Sequence, residues 1–471
     1  MLSFLLVGLY TDTDVLPNRA LYGEVSVLFA YMVFFNVVLS YGMETAFFRF
    51  YHGNHKKEDV VATSTVSVFW STMLFLAGAL LFRNTIAQWA DIDVQYITIA
   101  IWILVLDALV VIPFSKLRAL QKPMLYAVIK IGNVALNLAL NIFFLLYLPQ
   151  MATDDSVLQM IYVEDFQVGY IFVSNLLASL VTFIVLIPDY FKISWQFNVR
   201  LYKEMLRYAM PVLVAGVAFA INEHLDKILL EKLLPQNVAK AEVGAYSACY
   251  KLALFMTLYA TAFRLGIEPF FFSHAKNENA PRTYAAITKY FVIFGCVILL
   301  GVLVFADVLK FMLLRDPSYW EAMKVVPLIL LANFFLGIYT NLSVWYKLTD
   351  KTRMGAYISL IGAGVTLSLN FILIPYFQKT GGDGYMGSAW ATIAAYGTMM
   401  LISYILGARH YPIPYDLKRM SAYLVLCGLF SALAFYVFRE QYFINLPLLA
   451  IFVGIVFYLE KADLQRILKK Q

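Results

Sequence analysis

The 471 residues are 62% hydrophobic and only 14% charged, with a net charge of +6, whereas soluble domains run near ~45–50% apolar and ~25% charged. This composition excludes a soluble enzyme, a disulfide-built secreted scaffold and a disordered chain, and the thinly spread positive charge forms no basic stripe of the kind that binds nucleic acid. What remains is an all-α polytopic membrane protein.

A hydrocarbon core about 30 Å thick needs roughly 20 apolar residues per helix. Met1–Tyr10 is apolar over half that length with no charged region ahead of it. It reads as the second half of a first helix rather than a signal peptide. Full-length candidates follow near 23–48, 61–82, 94–115, 123–148, 167–188, 205–231, 243–272, 285–306, 325–346, 354–377, 385–408, 420–438 and 443–460. The expectation is fourteen membrane helices, the first of them truncated. Cys249, Cys296 and Cys427 lie in apolar stretches without metal-ligand spacing and read as small core residues.

Lys and Arg in the short loops set orientation. The loop after 23–48 carries Arg49, Lys56 and Lys57, and the next only Arg83. Lys116, Arg118 and Lys122 follow, then a stretch with Asp154, Asp155, Glu164 and Asp165 and no cation, then Lys192, Arg200, Lys203 and Arg207. The chain ends on Lys461, Arg466, Lys469 and Lys470. This alternation predicts a cytoplasmic C-terminus. No connection is long enough for an extramembrane catalytic domain.

The halves echo each other at an offset of about 220–230 residues. Gly23 and Ser26, with Tyr41 to Arg49 behind them, match Gly244 and Ser247 followed by Leu265-Gly-Ile-Glu268. Ala139-Leu-Asn141 matches Ser368-Leu-Asn370, each preceded by a basic turn at Lys122 and Lys351. Gly169 matches Gly387. Two six-helix bundles in parallel repeat are predicted, 1–200 and 201–415, with two extra helices and a basic cytoplasmic tail over 416–471. Paired bundles of this kind form transporters.

Fourteen helices as six plus six plus two resemble the Wzx-like oligosaccharide flippases of polysaccharide biosynthesis, in the superfamily that also holds the MATE exporters and the lipid II flippase MurJ. The likeness is carried by Leu2 to Thr11, Tyr22-Gly23, Gly42 to Arg49, Asp226-Lys227, Val243-Gly244-Ala-Tyr246-Ser247, Tyr250-Lys251 and Pro269. Lys227 stands where the family usually has Arg, which weakens bidentate binding there. The resemblance implies movement of an undecaprenyl-diphosphate-linked oligosaccharide from the cytoplasmic to the periplasmic leaflet. The implied partners are that lipid-linked substrate, membrane lipids and other polysaccharide-assembly proteins, without nucleic acid.

A charge at a helix centre costs about 2.5–3.5 kcal/mol on insertion scales, so charges within spans should face a cavity or a partner. Lys130, Asn133, Asn137 and Asn141 share one helix face by spacings of three and four. They are candidates for a substrate cavity, against the alternative of interhelical hydrogen bonds. Lys251 and Arg264 are cationic cavity candidates, and Arg264 can pair with Glu268 four residues on. Glu44 and Arg49 stand at the expected cytoplasmic entrance. Glu223, Asp226 and Lys227 close the seventh span as a gate or ion site, or as a snorkelling charge cluster. His224 beside them reads as structural. Asp107 has no partner in its own helix, and Lys130 on the next helix can supply one.

A diphosphate headgroup needs scattered cations, and its sugars need amides, hydroxyls and aromatic faces. A MATE-type multidrug exporter is the rival reading, kept alive by Glu44 and Asp107. A membrane glycan polymerase or acyltransferase is a weaker one, since five His and short loops offer little catalytic equipment. No cofactor is expected. Without a nucleotide-binding loop, an H+ or Na+ gradient or product consumption is left to drive transport.

Overall fold

The computed structural model describes residues 6–152, 157–274, 279–349, 351 and 353–468, and every regular element among them is helical. Among the described residues, twelve helices are long and apolar enough to cross a membrane, from Arg19–Tyr51 to Tyr442–Lys461. They coincide with twelve of the expected full spans. The remaining one, 243–272, is interrupted: the Gln236–Tyr250 helix passes through a 3-10 turn, Lys251–Ala253, into the Leu254–Ser273 helix. Arg264 and Glu268 in that last helix dilute its apolar character. Of the first apolar run, Val7–Tyr10 is helical. Residues 1–5, Asp154 and Asp155 of the acidic loop, and Lys469 and Lys470 of the tail lie outside the described residues.

Local chemistry explains where these helices start and bend. Asn18 caps the Arg19–Ser40 helix by accepting from the amides of Ala20 and Leu21 at 3.0 and 3.2 Å. Asp93 and Asn198 do the same for the Val94–Leu109 and Val199–Leu233 helices. The span Arg19–Tyr51 breaks at Tyr41 and Gly42, both left-handed, before the Met43–Tyr51 helix resumes. Gly42 is needed there twice over. Its φ is +72°, and a β-carbon would fall 2.5 Å from the Ala209 carbonyl oxygen.

The chain forms two compact units, 1–244 and 245–471. The first ends later than the repeat boundary near residue 200, because the Val199–Leu233 helix packs on Arg19–Ser40 and Met43–Tyr51. Met43, Phe47, Val60, Ile112, Met205 and Ala209 form the centre of that packing. Lipid tails are as apolar as these side chains, so close packing and buried polar contacts hold such helices together more than water exclusion does. The Lys57–Leu81 helix shows the device. Its buried Ser64 donates to the Val60 carbonyl at 2.7 Å, and the Ser67 hydroxyl meets the Tyr41 hydroxyl at 2.8 Å.

In the second unit, the last two membrane helices are fastened by charges at both ends. Glu460 pairs with Lys289 and accepts from the Tyr423 hydroxyl at 2.8 Å. Arg439 donates to both oxygens of Asp307, at 3.2 and 3.1 Å through Nε. The three cysteines are buried and unpaired, as core residues should be.

Candidate functional site

The first unit encloses a cavity of about 460 Å³. Four helices supply most of its polar lining. Arg19–Ser40 brings Asn36 and Ser40, Val94–Leu109 brings Asp107, Pro123–Ile142 brings Lys130 and Asn133, and Gln167–Leu186 brings Asn175, Ser179 and Thr182. Glu44 reaches it from the Met43–Tyr51 helix. Pro123 at the first helical position suits the start of the helix that carries Lys130, because proline there sacrifices no intrahelical donor.

Asp107 accepts from the Ser179 hydroxyl at 2.8 Å, with Asn36 as a further hydrogen-bonding partner. Asn133 donates to Thr182 at 2.9 Å. Lys130 faces the same cavity as Asp107 without an ion pair to it within 4 Å, and its ammonium lies 4.3 Å from the centre of the Phe114 ring. The expected Asp107–Lys130 contact is therefore a shared cavity, with a hydroxyl and an amide taking the carboxylate. A cavity with one ammonium, two carboxylates and several amides and hydroxyls suits a polar guest with both charge and hydrogen-bonding groups.

The lower half of the asparagine stripe does something else. Asn141 is fully buried, accepts from the Tyr10 hydroxyl at 2.7 Å and donates to Asn137. It ties the first described helix to its neighbour, outside the cavity lining. Its repeat counterpart Asn370 is also buried and accepts from Ser388 at 2.6 Å.

Glu44 is paired with Arg118, whose guanidinium also lies over Phe48 and Tyr126. Arg49 is instead exposed, 4.3 Å above the Tyr208 ring. In the second unit Glu268 does not take Arg264 as expected from their spacing. It pairs with Lys347 at 2.6 Å, because the tertiary partner presents its ammonium more directly than the neighbour one turn away. Arg264, Glu268 and Lys347 line one narrow cleft with Asn341 and Ser343. Glu268 is the repeat counterpart of Glu44. Lys347 and Arg118 each stand four residues before the matched turn lysines Lys351 and Lys122. The two units therefore carry the same acidic–basic pair in the same place.

Lys251 sits in the 3-10 turn between two helices of the interrupted span and is half-buried. Asp226 is buried in the Val199–Leu233 helix, where it pairs with Lys227 at 3.1 Å. Glu223 lies one turn earlier in that helix. These residues, like Arg264, stand apart from the lining of the first-unit cavity. Sequence reasoning missed Asn36, Asn175, Ser179 and Thr182. The last three had a readable signal, spacings of four and three along one helix face.

A family model described as polysaccharide biosynthesis protein matches residues 15–273, and one described as MatE matches residues 211–372. Among solved structures, the chain is similar to a lipid II flippase MurJ in an inward closed conformation. The TM-score is 0.66 at 15% identity, covering 97% of this chain and 99% of that one. It is also similar to an inward-facing multidrug-resistance MATE transporter of the MOP superfamily, with a TM-score of 0.63 at 11% identity, covering 90% and 95%. These likenesses show the fold. A probable multidrug resistance protein NorM of Bacillus cereus is 31% identical over 139 residues, which are 28% of this chain. The match spans 29% of that relative.

Proposed function

The chain belongs to the polysaccharide biosynthesis protein family, and on that premise we propose that it is a flippase for an undecaprenyl-diphosphate-linked oligosaccharide. It carries the headgroup from the cytoplasmic to the periplasmic leaflet for surface polysaccharide or lipopolysaccharide synthesis. The observation that carries this reading is the first-unit cavity, where Lys130 stands among Asn36, Asn133, Asn175, Ser179 and Thr182. An ammonium attracts diphosphate, and amides and hydroxyls replace the water that sugars lose. The prenyl chain stays in the bilayer while the head crosses by alternating access of two bundles.

Lys251 and Arg264 are further cationic contacts for the head. Arg49 and Glu44 form its entrance, and Glu223, Asp226 and Lys227 act as a gate. Asp107 is the group through which an H+ or Na+ gradient drives the cycle, since a carboxylate held by one hydroxyl and one amide is open to a cation. Other polysaccharide-assembly proteins supply and consume the substrate at the inner membrane.

A second reading rests on two specific observations. Asp107 and Glu44 give the cavity the acidic groups a cationic drug needs, and part of the chain is similar to a multidrug exporter. Reconstitution in vesicles separates the two. A flippase moves a fluorescent lipid-linked oligosaccharide between leaflets, slows with Lys130→Ala and ignores cationic dyes. Ion-driven uptake of cationic dyes without glycolipid movement would replace this reading with the exporter.

A further inference from the structure

A second cavity of the first unit, about 400 Å³, lies at the end away from Glu44. Its walls are apolar: Leu28, Met32, Phe75, Ile97, Ile101 and Leu104 are typical. Its size falls within the range of small-ligand pockets, about 300–1,000 Å³. Phe35, Phe82 and Trp89 at its edge are 37%, 58% and 65% exposed; Phe35 lies in the membrane span Arg19–Tyr51, and Phe82 and Trp89 lie in the connection between the spans Lys57–Leu81 and Val94–Ala119.

Beside it is a small polar pocket of about 80 Å³ lined by Asp91, Glu231, Lys232, Gln236 and Lys240 among others. Trp89 joins the two. Its carbonyl accepts from the Lys232 ammonium at 2.7 Å, and its ring lies 5.8 Å from that of Tyr31 in the apolar wall. Lys240 is occupied: it bonds the Asp91 carbonyl at 2.7 Å and pairs with Asp91 at 3.3 Å and Glu24 at 3.9 Å.

Glu231 is not occupied in the same way. Its side chain is 4% exposed, yet neither carboxylate oxygen has a hydrogen-bond partner, and the nearest cation is Lys232 at 3.6 Å. The Tyr31 hydroxyl is also buried without a partner. A buried carboxylate without donors is costly, so this arrangement asks for donors from outside the chain. Three carboxylates, Glu24, Asp91 and Glu231, face two ammoniums, Lys232 and Lys240. Glu24 reaches Lys240 from outside the pocket lining, which itself carries two carboxylates, Asp91 and Glu231, and two ammoniums.

We propose that the paired cavities hold a membrane phospholipid with a primary-amine headgroup: its acyl chain fills the apolar cavity, and its ammonium donates to Glu231. The lipid phosphate then sits toward Lys232. A choline headgroup has no N–H to donate. The ethanolamine headgroup brings no net charge, whereas an anionic headgroup, or the diphosphate of a prenyl carrier, adds net negative charge beside the unbonded Glu231 carboxylate. The site is separate from the polar cavity at the Glu44 end, so it stands or falls independently of the transport reading.

The test uses the full chain in bilayers with brominated phospholipids of ethanolamine, choline or glycerol headgroup. Quenching of Trp89 is read as the difference between the protein and its Trp89→Phe variant. The expected result is quenching by the ethanolamine lipid at about tenfold lower mole fraction than by the others, a difference of about 1.4 kcal/mol. Glu231→Gln removes the preference. Gly78→Leu removes the low-mole-fraction quenching by the ethanolamine lipid, because a β-carbon at Gly78 meets nothing within 4 Å and the side chain can fill the cavity without distorting the helix. Equal quenching by all headgroups, preference for the glycerol lipid, displacement by undecaprenyl diphosphate, or indifference to Gly78→Leu would each overturn the proposal.

Discussion

Gly23 and Gly244 meet backbone to backbone. A β-carbon on Gly23 would lie 1.8 Å from the Lys240 carbonyl oxygen, and one on Gly244 would lie 2.0 Å from that of Arg19. The two glycines are counterparts in the internal repeat, so the repeat supplies both halves of one close helix crossing within the first unit. Small residues allow such approach in lipid, where packing does most of the holding.

Alanine at either position should therefore destabilise the protein more than usual overpacking, which costs about 1–3 kcal/mol, because carbonyl groups cannot rotate away as side chains do. Gly23→Ala should lower the thermal midpoint in detergent well below that of Gly364→Ala, whose β-carbon meets no atom within 4 Å. Equal midpoints would show that the crossing is looser than described.

The Glu44–Arg118 and Glu268–Lys347 pairs are one device used twice, and their partners are only about one-third to two-fifths exposed or less. Exposed and half-exposed ion pairs contribute about 0.2–1 kcal/mol. A double-mutant cycle on Glu44→Gln and Arg118→Gln should return a coupling in that range, and the Glu268–Lys347 cycle should match it. Bonds this weak open readily during transport. A coupling of several kcal/mol would mark them as fixed struts instead.

Lys130 faces the cavity without an ion partner, so its replacement should cost function more than stability. Lys130→Ala should lower glycolipid transport about tenfold or more, in line with the ~1.5–3 kcal/mol of a charged hydrogen bond, at unchanged expression and thermal midpoint. Asn141→Ala should do the reverse, because it strands the Tyr10 hydroxyl in a buried site. Lys251→Ala should weaken transport at normal protein levels. Transport equal to the unmodified protein would remove Lys251 from the proposed contacts of the headgroup.

Asp307 lies outside the membrane-spanning helices, in the Ala306–Leu313 helix. Burial pushes its carboxyl upward, but hydrogen bonds from Arg439 and Lys310 outweigh that and hold it below the ordinary carboxylate range. A depressed carboxyl stabilises the fold above its unfolded pKa, about 3.9, and that contribution fades as pH falls through the folded value. The thermal midpoint should drop on acidification below about pH 4, and Asp307→Asn should be less stable at neutral pH with a flatter acid limb. Parallel acid limbs in the two proteins would show that Arg439 does not hold the carboxylate.

The spans were readable because twenty apolar residues in a row have few other uses, and Lys130 and Asn133 because three-residue spacing sets them on one face. Asn36 was hidden, because one amide in an apolar run is too common to single out, whereas Asn175, Ser179 and Thr182 share a helix face by their spacing. Glu44 and Arg118 are 74 residues apart, so no local rule joins them. The Arg264–Glu268 expectation failed for the same reason in reverse. One-turn spacing permits a pair, and Lys347, 79 residues away, takes the carboxylate instead. The polar pocket around Glu231 was also out of reach, since it depends on which neighbours fail to bond.

The central claim is tested most directly by deleting the gene in its host and measuring undecaprenyl-diphosphate-linked oligosaccharide in each leaflet, alongside surface polysaccharide and sensitivity to cationic drugs. The account predicts precursor accumulating in the cytoplasmic leaflet, surface polymer lost and drug sensitivity unchanged. Unchanged glycolipid with raised drug sensitivity would contradict it and make Asp107, rather than Lys130, the residue around which the cavity is built.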